Sequence, residues 1–159
     1  MKIKHILLLA AALLTGCAAT GDDYIKGSRP SQTAHPTLGT LSTVESDLLG
    51  PDSDGNGVRD EVDAGIRARF AAAGTQSAAA RFAQSLSKAM IAGQRGQAPS
   101  AEQKMQFSAY AACLDSLAPG ASQEVRTLTT RTSARAAALE RWTTLAGSLS
   151  APAEPCSVK

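Results

Sequence analysis

From Val58 to Leu149 the apolar residues recur every three or four positions, and no stretch alternates as a half-buried strand does. Val62, Ile66 and Phe70 stand four apart and line one helix face. Gly74 is expected to end that helix and Thr75 to cap the next, whose stripe is Ala79, Phe82, Leu86, Ala89, Met90 and Ile91. Gly93, Gly96 and Pro99 then break the chain. Ser100 with Gln103 three residues on makes a capping box for a third helix. That helix should bury Met105, Ala109, Ala112, Cys113 and Leu117, and Pro119-Gly120 ends it. A fourth, longer helix is expected from about Ser122 to Leu149, with Val125, Leu128, Leu139, Trp142, Leu145 and Leu149 facing inward. The β-branched run Thr127 to Thr132 falls inside this helical pattern. Aromatic residues are only 4% of the chain, so the core must come mainly from Ala, Leu, Val and Ile. The few large rings, Trp142 and the Phe residues, are expected in that core rather than at a site. The fold class is all-α: a small bundle of three to four helices in a single domain, since 159 residues leave little room for a second.

Charge narrows the function. The whole chain carries +2, from 16 basic and 14 acidic residues, which excludes a strongly basic nucleic-acid binder and a strongly acidic solvating tail. The charges are unevenly placed. Glu45 to Asp63 holds seven acids and one base, whereas Ala64 to Lys159 holds eleven bases and five acids. An acidic stretch therefore precedes a mildly basic body.

The first sixteen residues, MKIKHILLLAAALLTG, have a basic start at Lys2 and Lys4 and an apolar run of nine residues from Ile6 to Leu14. That run is too short to span a bilayer, where a helix needs roughly 20 apolar residues. A basic start, a short apolar stretch and small residues after it form the pattern of an export signal. Leu14-Thr15-Gly16-Cys17 resembles the lipobox of bacterial lipoproteins. The resemblance implies cleavage before Cys17, a diacylglycerol on its thiol and an acylated amine. More than one acyl chain is what holds a protein stably on a membrane. Ala18, where an Asp would retain the protein at the inner membrane by the enterobacterial sorting rule, implies a lipid-anchored protein of the outer membrane, facing the periplasm or the exterior. Residues 1–16 are thus read as a signal peptide and 17–43 as a lipidated tether, flexible because it is rich in Ala, Thr, Gly, Ser and Pro. Residues 44–159 are read as the helical domain. Thr43 to Leu49 is either a short helix or an extended lead-in, and Gly50-Pro51 breaks the chain after it.

With Cys17 lipidated, Cys113 and Cys156 remain. Export places them in an oxidising compartment, where two thiols normally pair. No CxxC motif and no neighbouring His supports the alternative, two free thiols with a redox role. The bridge would tie the Pro-bounded tail SAPAEPCSVK to the third helix. In the chain-entropy picture it stabilises the fold by about 4 kcal/mol.

Asp52 to Asp63 reads DSDGNGVRDEVD and resembles the twelve-residue calcium loop of the EF-hand family. Calcium takes six to eight oxygens held flexibly. The resemblance implies side-chain oxygens from Asp52, Asp54 and Asn56, a sharp turn at Gly57, the backbone carbonyl of Val58, Asp60 directly or through water, and Asp63 at the twelfth position. The loop departs from the family in four ways. Asp63 is a methylene shorter than the usual Glu. Arg59 stands where an aliphatic residue is usual. Gly50-Pro51 interrupts any helix leading in, and no second loop exists in the chain. The pattern is closer to single-loop variants such as dockerin-like and thrombospondin type 3 repeats. Five carboxylates in twelve residues (Asp52, Asp54, Asp60, Glu61, Asp63) repel one another unless a cation joins them, although acids are also favourable at a helix start. Magnesium suits the loop less well, because it demands tight octahedral geometry. The expected cofactor is a Ca²⁺ ion that fixes the start of the Val62–Ile66–Phe70 helix.

Catalytic signatures are missing. The two His residues, His5 and His35, lie in the signal and the tether, so neither serves a triad or a zinc site in the body. No nucleophile elbow and no phosphate-binding Gly loop occur. Glu102, Asp115, Glu124 and Glu140 show no pairing in their spacing and read as surface salt-bridge partners. Arg126, Arg131, Arg135 and Arg141 are placed on the last helix, with Arg131 and Arg135 sharing a face that could meet an anionic glycan. The sequence thus points to a non-enzymatic envelope lipoprotein acting through protein or envelope contacts, with no catalytic residues and no nucleic-acid partner. Two alternatives stay open: a calcium-responsive regulator or accessory component of an envelope machine, and a small envelope hydrolase with an atypical site.

Overall fold

A computed structural model describes residues 41–157. The signal segment, Cys17, His35 and all but the last three residues of the tether lie outside the described residues. Six α-helices follow in order: α1 (Thr43–Leu49), α2 (Asp60–Arg69), α3 (Ala73–Gln94), α4 (Ala101–Leu117), α5 (Ala121–Thr129) and α6 (Ser133–Ala146), with a 3-10 turn at Pro155–Ser157. No strand occurs among the described residues, so the all-α class holds. The helix number exceeds the expected three to four for two reasons. Thr43–Leu49 is a helix, closed at its start by a reciprocal Ser42–Glu45 capping box. The long last helix is two helices.

The Thr run divides it. Thr127, Thr129 and Thr130 each donate a hydroxyl to the carbonyl four residues back, on Gln123, Val125 and Arg126. Such bonds compete with the helix ladder, and β-branched side chains already fit helices less well. Thr132 then accepts from the Arg135 amide and starts α6 afresh.

Helix α3 is the axis of the body: α1, α2, α4, α5 and α6 all pack on it. Phe82, Leu86, Met90 and Ile91 are buried along it, as the period of the sequence requires. Val62, Ile66 and Phe70 of α2 and its junction are buried too. Two helix boundaries differ from the sequence reading. Helix α2 stops at Arg69, and Gly74 lies in the first turn of α3, whose N-cap is Ala72 rather than Thr75.

The face of α4 also differs. Phe107, Ser108, Ala109 and Leu114 are buried, whereas Met105 and Leu117 are exposed and Ala112 and Cys113 only half-buried. Apolar residues surround this helix, so period alone could not choose a side. Phe107 decides it, packing against Phe82 and Trp142 with ring centroids 5.5 and 4.8 Å apart. Ser108 is tolerated inside because its hydroxyl donates to the Lys104 carbonyl at 2.9 Å. On α5 and α6, Val125, Leu128, Leu139 and Trp142 are buried as expected and Leu145 is exposed, whereas Leu149 is partly buried beyond the end of α6 at Ala146.

Helices α3 and α6 cross closely at Gly93. A Cβ on Gly93 would lie 2.0 Å from the Ala138 carbonyl oxygen and 2.9 Å from the Trp142 amide nitrogen. Only glycine permits that approach. Cys113 and Cys156 are bonded, with Cα atoms 4.8 Å apart, and fasten the C-terminal 3-10 turn to α4.

Candidate metal loop and the helix junctions around it

Helix α1 ends at Leu49 and α2 begins at Asp60, so the acidic loop runs between two helices. A helix leading in is present after all, although it has only seven residues. Its C-cap Gly50 turns the chain, and the Asp60 amide donates to the Pro51 carbonyl to close the loop's base. Gly55 and Gly57 have φ of 69° and 84°, the left-handed region that the sharp turn requires and glycine enters without strain.

The loop's side chains are tied to one another and to its backbone. The Asp52 carboxylate accepts the amides of Asn56 and Gly57 at 3.1 and 2.8 Å. Asp54 accepts the Asn56 amide and also the Asn56 Nδ2, at 3.2 and 3.0 Å. The same Nδ2 donates to Asp63 at 2.6 Å, and the Val58 amide donates to Asn56 Oδ1 at 2.7 Å. Asp54, Asn56 and Asp63 are therefore brought together, with an amide nitrogen between two carboxylates. Asp60 turns elsewhere. It accepts both the amide and the hydroxyl of Ser53, at 2.9 and 2.7 Å, and these bonds lower its pKa. From outside the loop, Gln84 of α3 donates to the Asn56 carbonyl at 2.6 Å. Among the described residues no cluster of three or more His, Cys, Asp or Glu side chains is gathered closely enough to hold a metal by itself. The donor set of the loop includes an amide and a backbone carbonyl besides its carboxylates, and all are hard oxygens of the kind calcium takes.

The side chain of Arg59, the misfit of the loop sequence, points out of the loop. Only 4% of it is exposed. Its Nη2 donates to the carbonyls of Thr129 at 2.8 Å and Leu128 at 3.4 Å, which end α5. Nη1 is buried with no hydrogen-bond partner among the described residues. Burial, then the nearby Arg135, pull the guanidinium pKa down to about 10, so it stays charged at neutral pH. Glu61 lies 3.4 Å from Arg59 and 3.3 Å from Arg135, and is the carboxylate they share.

Other helix ends are closed in the same way. Arg135 donates to the carbonyls of Leu48 and Asp47 at the end of α1. Arg141 donates to Gly93 and Gln94 at the end of α3. Lys104 donates to the Ala146 carbonyl that ends α6. Helices α1, α3 and α6 carry no basic residue in their own last turns, and each receives one from another helix. A cation there satisfies orphan carbonyls and opposes the helix dipole. The single last helix on which these arginines could have shared a face is two helices. Arg126 is on α5 over the Phe107 ring, Arg131 lies in the break, and Arg135 and Arg141 act as clamps.

The acids after the loop have local tasks. Asp115 accepts the amide and hydroxyl of Ser122 at the start of α5, and Glu124 pairs with Arg69 at 3.6 Å. Glu102 accepts from Gln106 at 3.4 Å. Nothing in the sequence signals these clamps: α5 has Arg126 in its own last turn and still receives Arg59, and α4 ends without a cation.

No helix among the described residues is long and apolar enough to cross a membrane. No protein-family model, curated protein or solved structure matches the chain.

Proposed function

We propose that this is a lipid-anchored protein of the bacterial envelope, held at the outer membrane through Cys17, whose helical body carries one structural calcium ion at 52–63 and works by contact rather than catalysis. The observation that carries the calcium reading is the meeting of Asp54 and Asp63 across the Asn56 amide. Two carboxylates held around one polar hydrogen donor form the environment that a divalent cation satisfies more fully. Asp52, Asp54 and Asp63 would hold the ion with the Val58 carbonyl and with Asn56 once its amide turns Oδ1 rather than Nδ2 toward them, and Asp60, released from Ser53, would serve directly or through water. When bound, the ion supplies the positive charge that five neighbouring carboxylates lack. Its binding site would span from the end of α1 to the first turn of α2, so its role is to fix one helix relative to the other. Affinity of the order of 0.1–1 mM, typical of extracellular modules, suits such a structural ion. The anchor reading is supported by LTGC at 14–17 after an apolar run of nine residues, and by a disulfide of the sort an oxidising compartment permits.

Calcium titration monitored by thermal unfolding and circular dichroism tests the ion. A rise in melting temperature with unchanged helix content supports a structural role. A new apolar surface on calcium addition, read by dye binding, would instead favour the calcium-responsive regulator. Growth in labelled palmitate tests the anchor: incorporation lost in Cys17→Ala supports it, and no incorporation into the unaltered protein rejects it.

A further inference from the structure

Between the first turns of α3, the second half of α4 and the C-terminal 3-10 turn lies an open cavity of about 270 Å³. Its walls are mainly apolar: Ala78, Leu117, Pro155 and the Cys113–Cys156 bridge. Leu117 is 51% exposed there, so a ligand in the cavity would cover apolar surface. Arg81 is the one charged residue among those that line the cavity. It is exposed and has no carboxylate within ion-pair distance among the described residues. Arg67 and Arg131 are likewise without a carboxylate at that distance among the described residues, so what distinguishes Arg81 is its place on the cavity wall. Tyr110 also lines the cavity, half-buried and without a hydrogen-bond partner for its hydroxyl among the described residues.

We propose that this cavity binds a small amphipathic carboxylate, with its apolar part against Ala78, Leu117 and the disulfide and its charge on Arg81. The chemistry is complementary on both counts. Apolar walls gain by being covered, and a guanidinium without a partner takes a carboxylate through two parallel charge-assisted hydrogen bonds. Size limits the ligand. Cavities for drug-sized molecules start at roughly 300 Å³, so a chain of a few carbons fits and a whole membrane lipid does not. One wall depends on redox state. Pro155 and Cys156 belong to the tail, which packs chiefly on α4 and is covalently fixed there by the bridge. A dithiol reductant would deliver two electrons and two protons to the disulfide, giving two thiols and itself becoming a disulfide. The tail wall is then no longer tethered, and binding weakens. This inference is independent of the calcium reading.

The test is a titration of the full-length, oxidised protein with octanoate, followed by amide NMR shifts, with octylamine as the control of opposite charge. Saturable shifts at Ala78, Tyr110 and Leu117 are expected with octanoate and not with octylamine. Arg81→Gln, an exposed substitution, should weaken binding at least about tenfold, the scale of one charge-assisted contact. Cys156→Ser should weaken it as well. Absence of saturable shifts at millimolar octanoate, equal affinity in Arg81→Gln, or equal binding of octylamine each overturns the proposal. Unchanged binding in Cys156→Ser overturns the disulfide's part in it.

Discussion

The acidic loop and the helix junctions are both built from polar contacts, but they reach over very different distances. Within the loop, hydrogen bonds join residues two to seven apart, and most are exposed to water. At the junctions, Arg59 reaches residues 69 and 70 positions away, Arg135 reaches 87 and 88, and Arg141 reaches 47 and 48. Exposed bonds exchange with water at little net gain, whereas a buried carbonyl left without its donor bears the full cost of desolvation. The loop should therefore contribute little to stability until a cation joins its carboxylates. The junctions should hold the bundle together whether or not an ion is present. Arg59 belongs to both regions, with its backbone in the loop and its guanidinium at the end of α5.

The largest effect is expected where the helices touch. Gly93→Ala places a methyl group against the backbone of α6, which must move away, and about 3 kcal/mol of stability should be lost in chemical denaturation. A loss below about 0.5 kcal/mol would mean that α3 and α6 do not cross this closely. Arg59→Met comes next. It removes the donors from two buried carbonyls but also removes one unpaired N–H group, so a net loss of about 2 kcal/mol is expected. That loss should be the same in calcium and in chelator, and a loss seen only in calcium would break the separation of the two regions. Chelation of the unaltered protein should cost about 1–3 kcal/mol relative to 10 mM Ca²⁺, for a dissociation constant near 0.1–1 mM. The smallest effect is at Glu45. Its hydrogen bond with Arg95, and then that with the Ser42 amide, hold the carboxyl down at about 2, from an ordinary 4.5. Such a depressed group stabilises the fold above pH 4.5 and loses that contribution as the pH falls toward 2. Glu45→Gln should therefore flatten the acid limb of the stability profile in this range and leave its shape above pH 6 unchanged.

Much of this division follows from what a sequence makes visible. The stripes of α2 and α3 were legible because each helix has one apolar side, and DSDGNGVRDEVD was legible because its contacts lie within twelve residues. The buried side of α4 is not legible, since its sides are nearly alike in hydrophobicity and a distant ring, Trp142, helps select the one that leaves Met105 and Leu117 exposed. The break between α5 and α6 was present as the run Thr127 to Thr132, but its effect arises from three hydroxyls turning back on the helix. The partners of Arg59, Arg135 and Arg141 could not be read at all. A guanidinium's acceptor is a helix end brought near by folding, and nothing in the spacing announces which one.

Isothermal titration calorimetry with Ca²⁺ on the protein and on Asp54→Ala tests the central claim most directly. One saturable site per chain in the unaltered protein, abolished or weakened at least about tenfold in Asp54→Ala, is the predicted result. No heat at millimolar Ca²⁺, or equal binding by both proteins, would contradict it.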